Sequence, residues 1–251
     1  MKLIFSLLLV VLLTACASSG GGSQQESVDK DASAKVHTEL AAVYYGQQQY
    51  SIALDEIKYA LGMNNKYAPA YSVRGLVYMA LLEDRKAEAD FERSLDLDPN
   101  DSGTRNNYGW FLCQRGREKE SMAQFMTAMK NPLYPTPEKA YLNAGLCAKK
   151  SGKMQEAEAY LKNALLHQPK MTDALLGLAE LSFAKGDYAA AKSYYLRLSR
   201  NGAELSAGDL FLAARVEQKL GDKNAEASYK LQLRKRFPES REAQLMLRGE
   251  K

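Results

Sequence analysis

The residues of this chain of 251 that could take part in catalysis or metal binding do not form a recognisable catalytic or metal-binding motif. Its two histidines, His37 and His167, lie 130 residues apart, and both stand where a structural role is expected, His37 in helix packing and His167 at a helix C-terminus. The sequence has no GxxxxGK phosphate loop, no GxSxG elbow and no HExxH zinc pair. We therefore predict no catalytic site, metal, cofactor or small-molecule substrate.

The charge balance excludes a strongly basic nucleic-acid-binding surface. The formal net charge is +4, and acidic and basic residues are interleaved along the chain. Such a mild field is not typical of a protein that binds nucleic acid. With 46% hydrophobic and 25% charged residues, the composition is that of a folded protein.

Cys16 closes an N-terminal export signal. Residues 3–12 are apolar apart from one serine, a stretch too short to span a bilayer core of ~30 Å, so residues 1–15 are predicted to be a removable signal peptide. The segment Leu13-Thr14-Ala15-Cys16 resembles the lipobox of bacterial lipoproteins. The resemblance implies acyl chains on Cys16, and two or more chains anchor a protein stably to a membrane.

The residues after Cys16 predict where the anchor lies. In lipoproteins of this kind an Asp after the cysteine favours the inner membrane, so Ala17 implies the periplasmic face of the outer membrane. Residues 16–33 are rich in small and polar residues without an apolar period. We expect them to form a flexible tether.

Beyond the tether the sequence repeats at about 34 residues, the period of the tetratricopeptide helix-turn-helix unit. In the clearest copy the small residues Gly75 and Ala87 let two helices approach, Phe91 fills the space between repeats, and Pro99 stops the second helix. These patterns predict an all-α, right-handed solenoid of about six repeats over residues 34–238. The predicted repeats are 34–67, 68–101, 102–135, 138–171, 172–205 and 206–238.

Two segments depart from the regular pattern. Three prolines between Pro132 and Pro137 predict a rigid, non-helical connection, after which the fourth repeat begins two residues late. In the sixth repeat Gly221 comes one residue late, which leaves the register uncertain by one. Residues 239–251 are charged and helix-prone, and are predicted to cap the stack.

Cys113 and Cys147 are separated by 34 residues and fall on the first helices of consecutive repeats. Such helices are neighbours, ~8–10 Å apart between axes, so the two Cα atoms could meet the ~4.4–6.8 Å that a disulfide requires. An oxidising compartment favours the bond. The alternative is two reduced core cysteines, since free cysteine is readily buried.

First helices line the concave surface of such a solenoid, and their inward positions are unexpectedly apolar, which predicts a groove that binds another polypeptide. Trp110, the only tryptophan, is a plausible anchor. The alternative is that several of these residues pack against neighbouring helices. We call the following set the predicted groove: Tyr45, Leu76, Met79, Asn106, Trp110, Gln114, Leu142, Leu146, Lys149, Leu176, Glu180 and Phe183.

Several stretches go beyond the generic repeat, above all the Leu-Tyr-Pro insertion. They are Asn106-Asn107-Tyr108-Gly109 with Phe111-Leu112, Pro132-Leu133-Tyr134-Pro135, Asn143-Ala144-Gly145-Leu146, and the ending Ala227-Ser228-Tyr229, Leu231-Gln232-Leu233 and Arg236-Phe237-Pro238. Through them, over nearly its whole length, the chain resembles the PilF/PilW lipoproteins of type IV pilus biogenesis.

This resemblance implies an outer-membrane lipoprotein that acts as a pilotin. Its partner would be the secretin subunit, which it helps to reach the outer membrane or to form a stable multimeric ring. We expect the protein itself to be monomeric. A second interpretation is a lipoprotein scaffold of the outer-membrane β-barrel assembly machinery, against which the Pro132–Pro137 insertion and the pilus-like ending argue.

Overall fold

A computed structural model describes residues 22–248, with side chains from residue 29 onward. Within that range the chain forms thirteen α-helices and no strand. The helices are α1 (Gly22–Gly46), α2 (Tyr50–Met63), α3 (Ala68–Ala80), α4 (Asp84–Leu97), α5 (Ser102–Gln114), α6 (Glu118–Lys130), α7 (Pro137–Lys150), α8 (Met154–His167), α9 (Thr172–Ala184), α10 (Tyr188–Arg200), α11 (Ala207–Leu220), α12 (Lys223–Arg236) and α13 (Arg241–Arg248).

The helices stack as six hairpins, each made of an odd-numbered first helix and the even-numbered second helix that follows it. Each first helix also approaches the first helix of the next repeat within 8 Å between Cα atoms. No two second helices come this close anywhere in residues 22–248. The stack is therefore tighter on the side of the first helices, which form its inner face. The predicted all-α tetratricopeptide solenoid is confirmed.

Small residues allow the close approach within each hairpin. A Cβ atom on Gly75 would lie only 2.8 Å from Cε1 of Phe91, whose side chain is fully buried. In the fourth repeat a Cβ atom on Gly145 would lie 2.7 Å from Cγ of Leu161. The pairing of a glycine in the first helix with a large residue in the second, which the repeat pattern predicts, is thus a steric requirement.

Each turn between the two helices of a repeat contains one residue in the left-handed conformation. Glycine adopts it without a Cβ penalty, and the last four repeats use Gly116, Gly152, Gly186 and Gly221. The first two repeats use Gln48 and Leu82, both with φ of 61°. These residues define the register of every first helix.

Helix α1 begins at Gly22, so the structure differs from the tether predicted for residues 16–33, of which 22–33 are helical. Asn64, at the end of α2, donates a hydrogen bond of 2.5 Å to Asp31, a residue that precedes the first predicted repeat. Ala34 and Ala41 are buried against α2. Once these contacts hold the helix, extending it costs little. The predicted signal peptide and Cys16 lie outside the described residues.

The proline-rich junction is non-helical between α6 and α7, and Pro137 occupies the first turn of α7, where its missing N–H costs nothing. Tyr134 is buried against Ala128 and Ala140. Its neighbour Leu133 is 86% exposed. Tyr134 therefore packs the insertion against the body.

The last repeat begins with a capping box, in which the Ser206 hydroxyl accepts a hydrogen bond from the backbone N–H of Asp209 and the Asp209 carboxylate accepts one from that of Ser206. After it, α13 packs on both α11 and α12, and its Ala243 is buried with Leu210 and Leu233. Helix α13, which lies within the segment predicted as a cap, thus packs on the last hairpin.

Candidate protein-binding groove

The inner face of the first helices carries the predicted groove. All its residues except Asn106 are partly buried, so each keeps some accessible surface. Part of each apolar side chain packs on the core of its own repeat: Leu76 and Met79 around Phe91, and Leu142 and Leu146 around Leu161. The groove is therefore a half-exposed layer above the core.

Asn106 does not present its side chain to a partner. It is only 6% exposed, and its Oδ1 accepts a hydrogen bond of 3.0 Å from Nδ2 of Asn143 on the neighbouring first helix. The prediction that Asn106 lines the groove is corrected here, because a partner of the next repeat uses its polar group. A similar contact of 3.4 Å joins Asn107 to Ser72.

Trp110 packs against the buried cluster that contains Cys113, Phe125 and Cys147. A disulfide joins Cys113 of α5 to Cys147 of α7, with Cα atoms 5.8 Å apart. It lies in the interior, beside Ser121, whose hydroxyl donates a hydrogen bond to the backbone oxygen of Gly109. The bond ties the third repeat to the fourth across the proline-rich junction, directly beneath Trp110.

Two charged residues of the predicted groove neutralise each other. Lys149 of α7 forms an ion pair with Glu180 of α9, and both side chains are partly exposed. The pair links two consecutive first helices. Because each charge already has a partner, neither offers a free charge to a ligand.

The structure adds two residues of the groove, Phe211 and Arg215, that the sequence analysis missed. Counted back from the left-handed residue of each turn, Trp110 and Leu146 lie six residues before Gly116 and Gly152. By the same count Arg215 lies six residues before Gly221.

Phe211, ten residues before Gly221, is equivalent in the same way to Leu142 and Asn106. The late Gly221 is the signal that could have placed Phe211 and Arg215 in the groove. Both residues are partly buried on α11.

The two histidines occupy structural positions. Nδ1 of His37 lies 2.7 Å from Oε2 of Glu56, while His167 stacks on Tyr141 with ring centroids 5.4 Å apart. Among the side chains described, no group of three or more His, Cys, Asp or Glu residues could hold a metal ion. Across residues 22–248 none of the helices has the length and apolar character needed to cross a bilayer.

Comparison with known proteins identifies the family. Tetratricopeptide-repeat profiles match residues 68–101 and 148–213. The chain is 26% identical over 215 residues to the type IV pilus assembly protein PilF of Pseudomonas aeruginosa, which covers 86% of this chain and 85% of that protein. The solved structure of that PilF superposes with a TM-score of 0.79 at 25% identity, over 88% of this chain and all of the other.

A second solved structure is more similar in sequence. The crystal structure of PilW, described as a widely conserved type IV pilus biogenesis factor, is 37% identical, with a TM-score of 0.76 over 85% of this chain and 98% of PilW. The share of the chain that is covered is far larger than the segments matched by the tetratricopeptide-repeat profiles. The chain therefore belongs to the PilF/PilW family of tetratricopeptide-repeat proteins.

Proposed function

We propose that this protein is a non-catalytic outer-membrane lipoprotein of type IV pilus biogenesis that binds the secretin subunit and promotes the assembly or stability of secretin multimers. The observation that carries the proposal is the 37% identity to the pilus biogenesis factor PilW over nearly the whole of that chain. The secretin partner is what the sequence resemblance implies.

The proposed anchor is a set of acyl chains on Cys16, which hold the repeats at the periplasmic face of the outer membrane. The lipobox-like segment Leu13-Thr14-Ala15-Cys16 supports it. Helix α1 begins only six residues after Cys16. The repeats would then stand close to the bilayer, within reach of a partner that is inserting into it.

The proposed contact surface is the groove formed by the first helices. Its apolar side chains retain accessible surface, and they lie on the side of the stack where consecutive first helices approach one another. An apolar surface that is half exposed gains free energy when a partner segment covers it. A helix or extended segment of the secretin subunit with an apolar face would fit such a surface.

The test is complementation of a strain that lacks the encoding gene. Wild-type protein should restore heat-stable secretin multimers and surface pili, whereas Cys16→Ser should restore neither fully because the protein is no longer held at the membrane. Leu146→Lys places a charge in the groove, and the matched control Leu166→Lys changes a leucine of α8 that is 79% exposed. Only the groove variant should lose secretin multimers while accumulating normally.

Two outcomes would contradict the proposal. Normal secretin multimers in the deletion strain would exclude the pilotin role. A general loss of outer-membrane β-barrel proteins, with secretin affected only as one of them, would favour the β-barrel assembly scaffold instead.

A further inference from the structure

Arg215 is held between two aromatic rings at the C-terminal end of the groove. Its guanidinium carbon lies 4.8 Å from the ring centroid of Phe183 on α9 and 5.8 Å from that of Phe211 on α11. Stacking on two rings fixes the plane of the guanidinium. The side chain is only partly buried, so the group is not sealed inside the protein.

Arg215 differs from nearby basic side chains in having no acidic partner. Lys149 pairs with Glu180, and Lys192 pairs with Glu217 at 2.7 Å. No carboxylate lies within 4.0 Å of Arg215 anywhere in the described chain. A guanidinium carries five N–H donors, keeps its charge at all physiological pH values and accepts no hydrogen bond. Its donors are therefore available to an anion from outside the chain.

The surroundings make this charge selective. Phe183 and Leu176 of α9 belong to the apolar lining of the groove, and they pack on the core below. A carboxylate that pairs with a guanidinium beside apolar surface is screened less than one in open water, and the pair is bidentate in its best geometry. A ligand must then combine one acidic group with apolar neighbours.

The position of Arg215 also favours a side chain over a chain terminus. Helix α13 follows α11 and packs against it, so Arg215 does not lie on the last helix of the stack. A segment bound at Arg215 therefore need not end there. A peptide that ended in its terminal carboxylate at Arg215 would leave the protein surface beyond this residue without a contact.

We propose that Arg215, clamped by Phe183 and Phe211, binds the carboxylate of an Asp or Glu side chain within an otherwise apolar segment of the partner. The inference rests on the proposed function only in that the groove binds a polypeptide. It does not require that the polypeptide be a secretin.

The test begins with a selection of random dodecapeptides displayed on phage by their C-termini, so that no peptide has a free terminal carboxylate. The full-length protein in detergent is the target. Peptides that bind wild type should share an Asp or Glu flanked by apolar residues. Selection on Arg215→Gln should no longer enrich this acidic position. Arg200→Gln, which removes an exposed arginine from the second helix α10, is the matched control and should select the same peptides as wild type.

The strongest selected peptide is then synthesised with an amidated C-terminus, alongside its Glu→Gln or Asp→Asn version. Each single change, in the peptide or at Arg215, should weaken binding about 10- to 100-fold, the usual effect of a hydrogen-bonded charge pair. The two changes together should cost little more than either alone, because they remove the same contact. Arg215→Lys should fall between wild type and Arg215→Gln, since it keeps the charge and loses the stacked fork.

Selected peptides without an acidic position, an acidic position that Arg215→Gln still enriches, or losses that add fully would each overturn the inference. The inference would also be overturned if no peptide bound wild type more strongly than it bound Arg215→Gln. Because no secretin takes part, these outcomes are separate from those of the complementation test.

Discussion

A Cβ atom on Gly109 would lie 2.8 Å from both Cδ1 and Cε1 of Phe125, so α5 and α6 meet at a point where only a hydrogen atom fits. Phe125 is fully buried and cannot turn outward without opening the third repeat. Phe125 belongs to the buried cluster that holds the disulfide. The close approach of α5 and α6 thus depends on the absence of a side chain at Gly109.

We expect Gly109→Ala to lower the free energy of unfolding by about 1–3 kcal/mol, because the added methyl group forces Phe125 or a helix to move. Urea unfolding followed by circular dichroism measures the loss. Gly62→Ala is the matched control, since its Cβ would have nothing within 4 Å, and it should be neutral or stabilising by up to about 1 kcal/mol. Equal stability of Gly109→Ala and wild type would mean that the contact is not tight.

The hairpins could be predicted from sequence because their determinants are local. Glycine beside a buried ring and proline after a second helix act within one repeat, and their spacing marks the helix ends. The start of α1 could not be predicted, because the hydrogen bond of Asp31 is made with Asn64, 33 residues later in the sequence. Polar residues with no apolar period carry no local sign of that contact.

Leu82 occupies a turn position that suits glycine better. Its φ is 61°, a conformation that costs a β-carbon-bearing residue roughly 1–2 kcal/mol, and its side chain is 78% exposed, so it contributes little packing. We expect Leu82→Gly to raise the free energy of unfolding by about 1 kcal/mol. The neighbouring Leu81 has φ of −80°, and Leu81→Gly should lower it. Thermal unfolding of both variants measures the two changes in stability. A Leu82→Gly variant less stable than wild type would contradict the prediction.

The Cys113–Cys147 disulfide closes a loop of 34 residues, a length for which chain entropy gives about 3–4 kcal/mol of stabilisation. We expect the double variant Cys113→Ala, Cys147→Ala to unfold at correspondingly lower urea concentration than the oxidised protein. Adding a reductant should destabilise wild type and leave the double variant unchanged. Thiol titration of the unfolded, unreduced protein should find neither cysteine free, and two free thiols would contradict the pairing.

The groove was predicted less completely than the fold, because its chemistry depends on contacts between repeats. Asn106 stands at an inward position, yet Asn143, 37 residues later, uses its side-chain oxygen. Arg215 was missed because the last repeat lacks the regular glycine spacing. Only the left-handed conformation of Gly221 sets its register.

Tyr195 places a hydroxyl in the core without a hydrogen-bond partner in the part of the chain that the structure describes. An unpaired buried hydroxyl costs free energy, so Tyr195→Phe should leave stability at pH 7 unchanged or raise it by up to about 1 kcal/mol. Tyr108 is the control, because its hydroxyl donates a hydrogen bond of 3.0 Å to Glu88, and Tyr108→Phe should be destabilising. Urea unfolding at pH 7 distinguishes the two hydroxyls.

The burial of Tyr195 should also lower the free energy of unfolding at alkaline pH. Burial, and then the nearby charges of Asp209 and Glu180, raise the pKa of Tyr195 above its ordinary value of 10.0. In the unfolded chain the phenol ionises near pH 10, while in the folded protein it stays neutral, so deprotonation favours unfolding as the pH rises through 10. The free energy of unfolding should therefore fall less steeply in Tyr195→Phe than in wild type between pH 9 and roughly pH 11. Unfolding curves at closely spaced pH values measure both slopes, and parallel slopes would show that Tyr195 ionises as easily in the folded protein as in the unfolded chain.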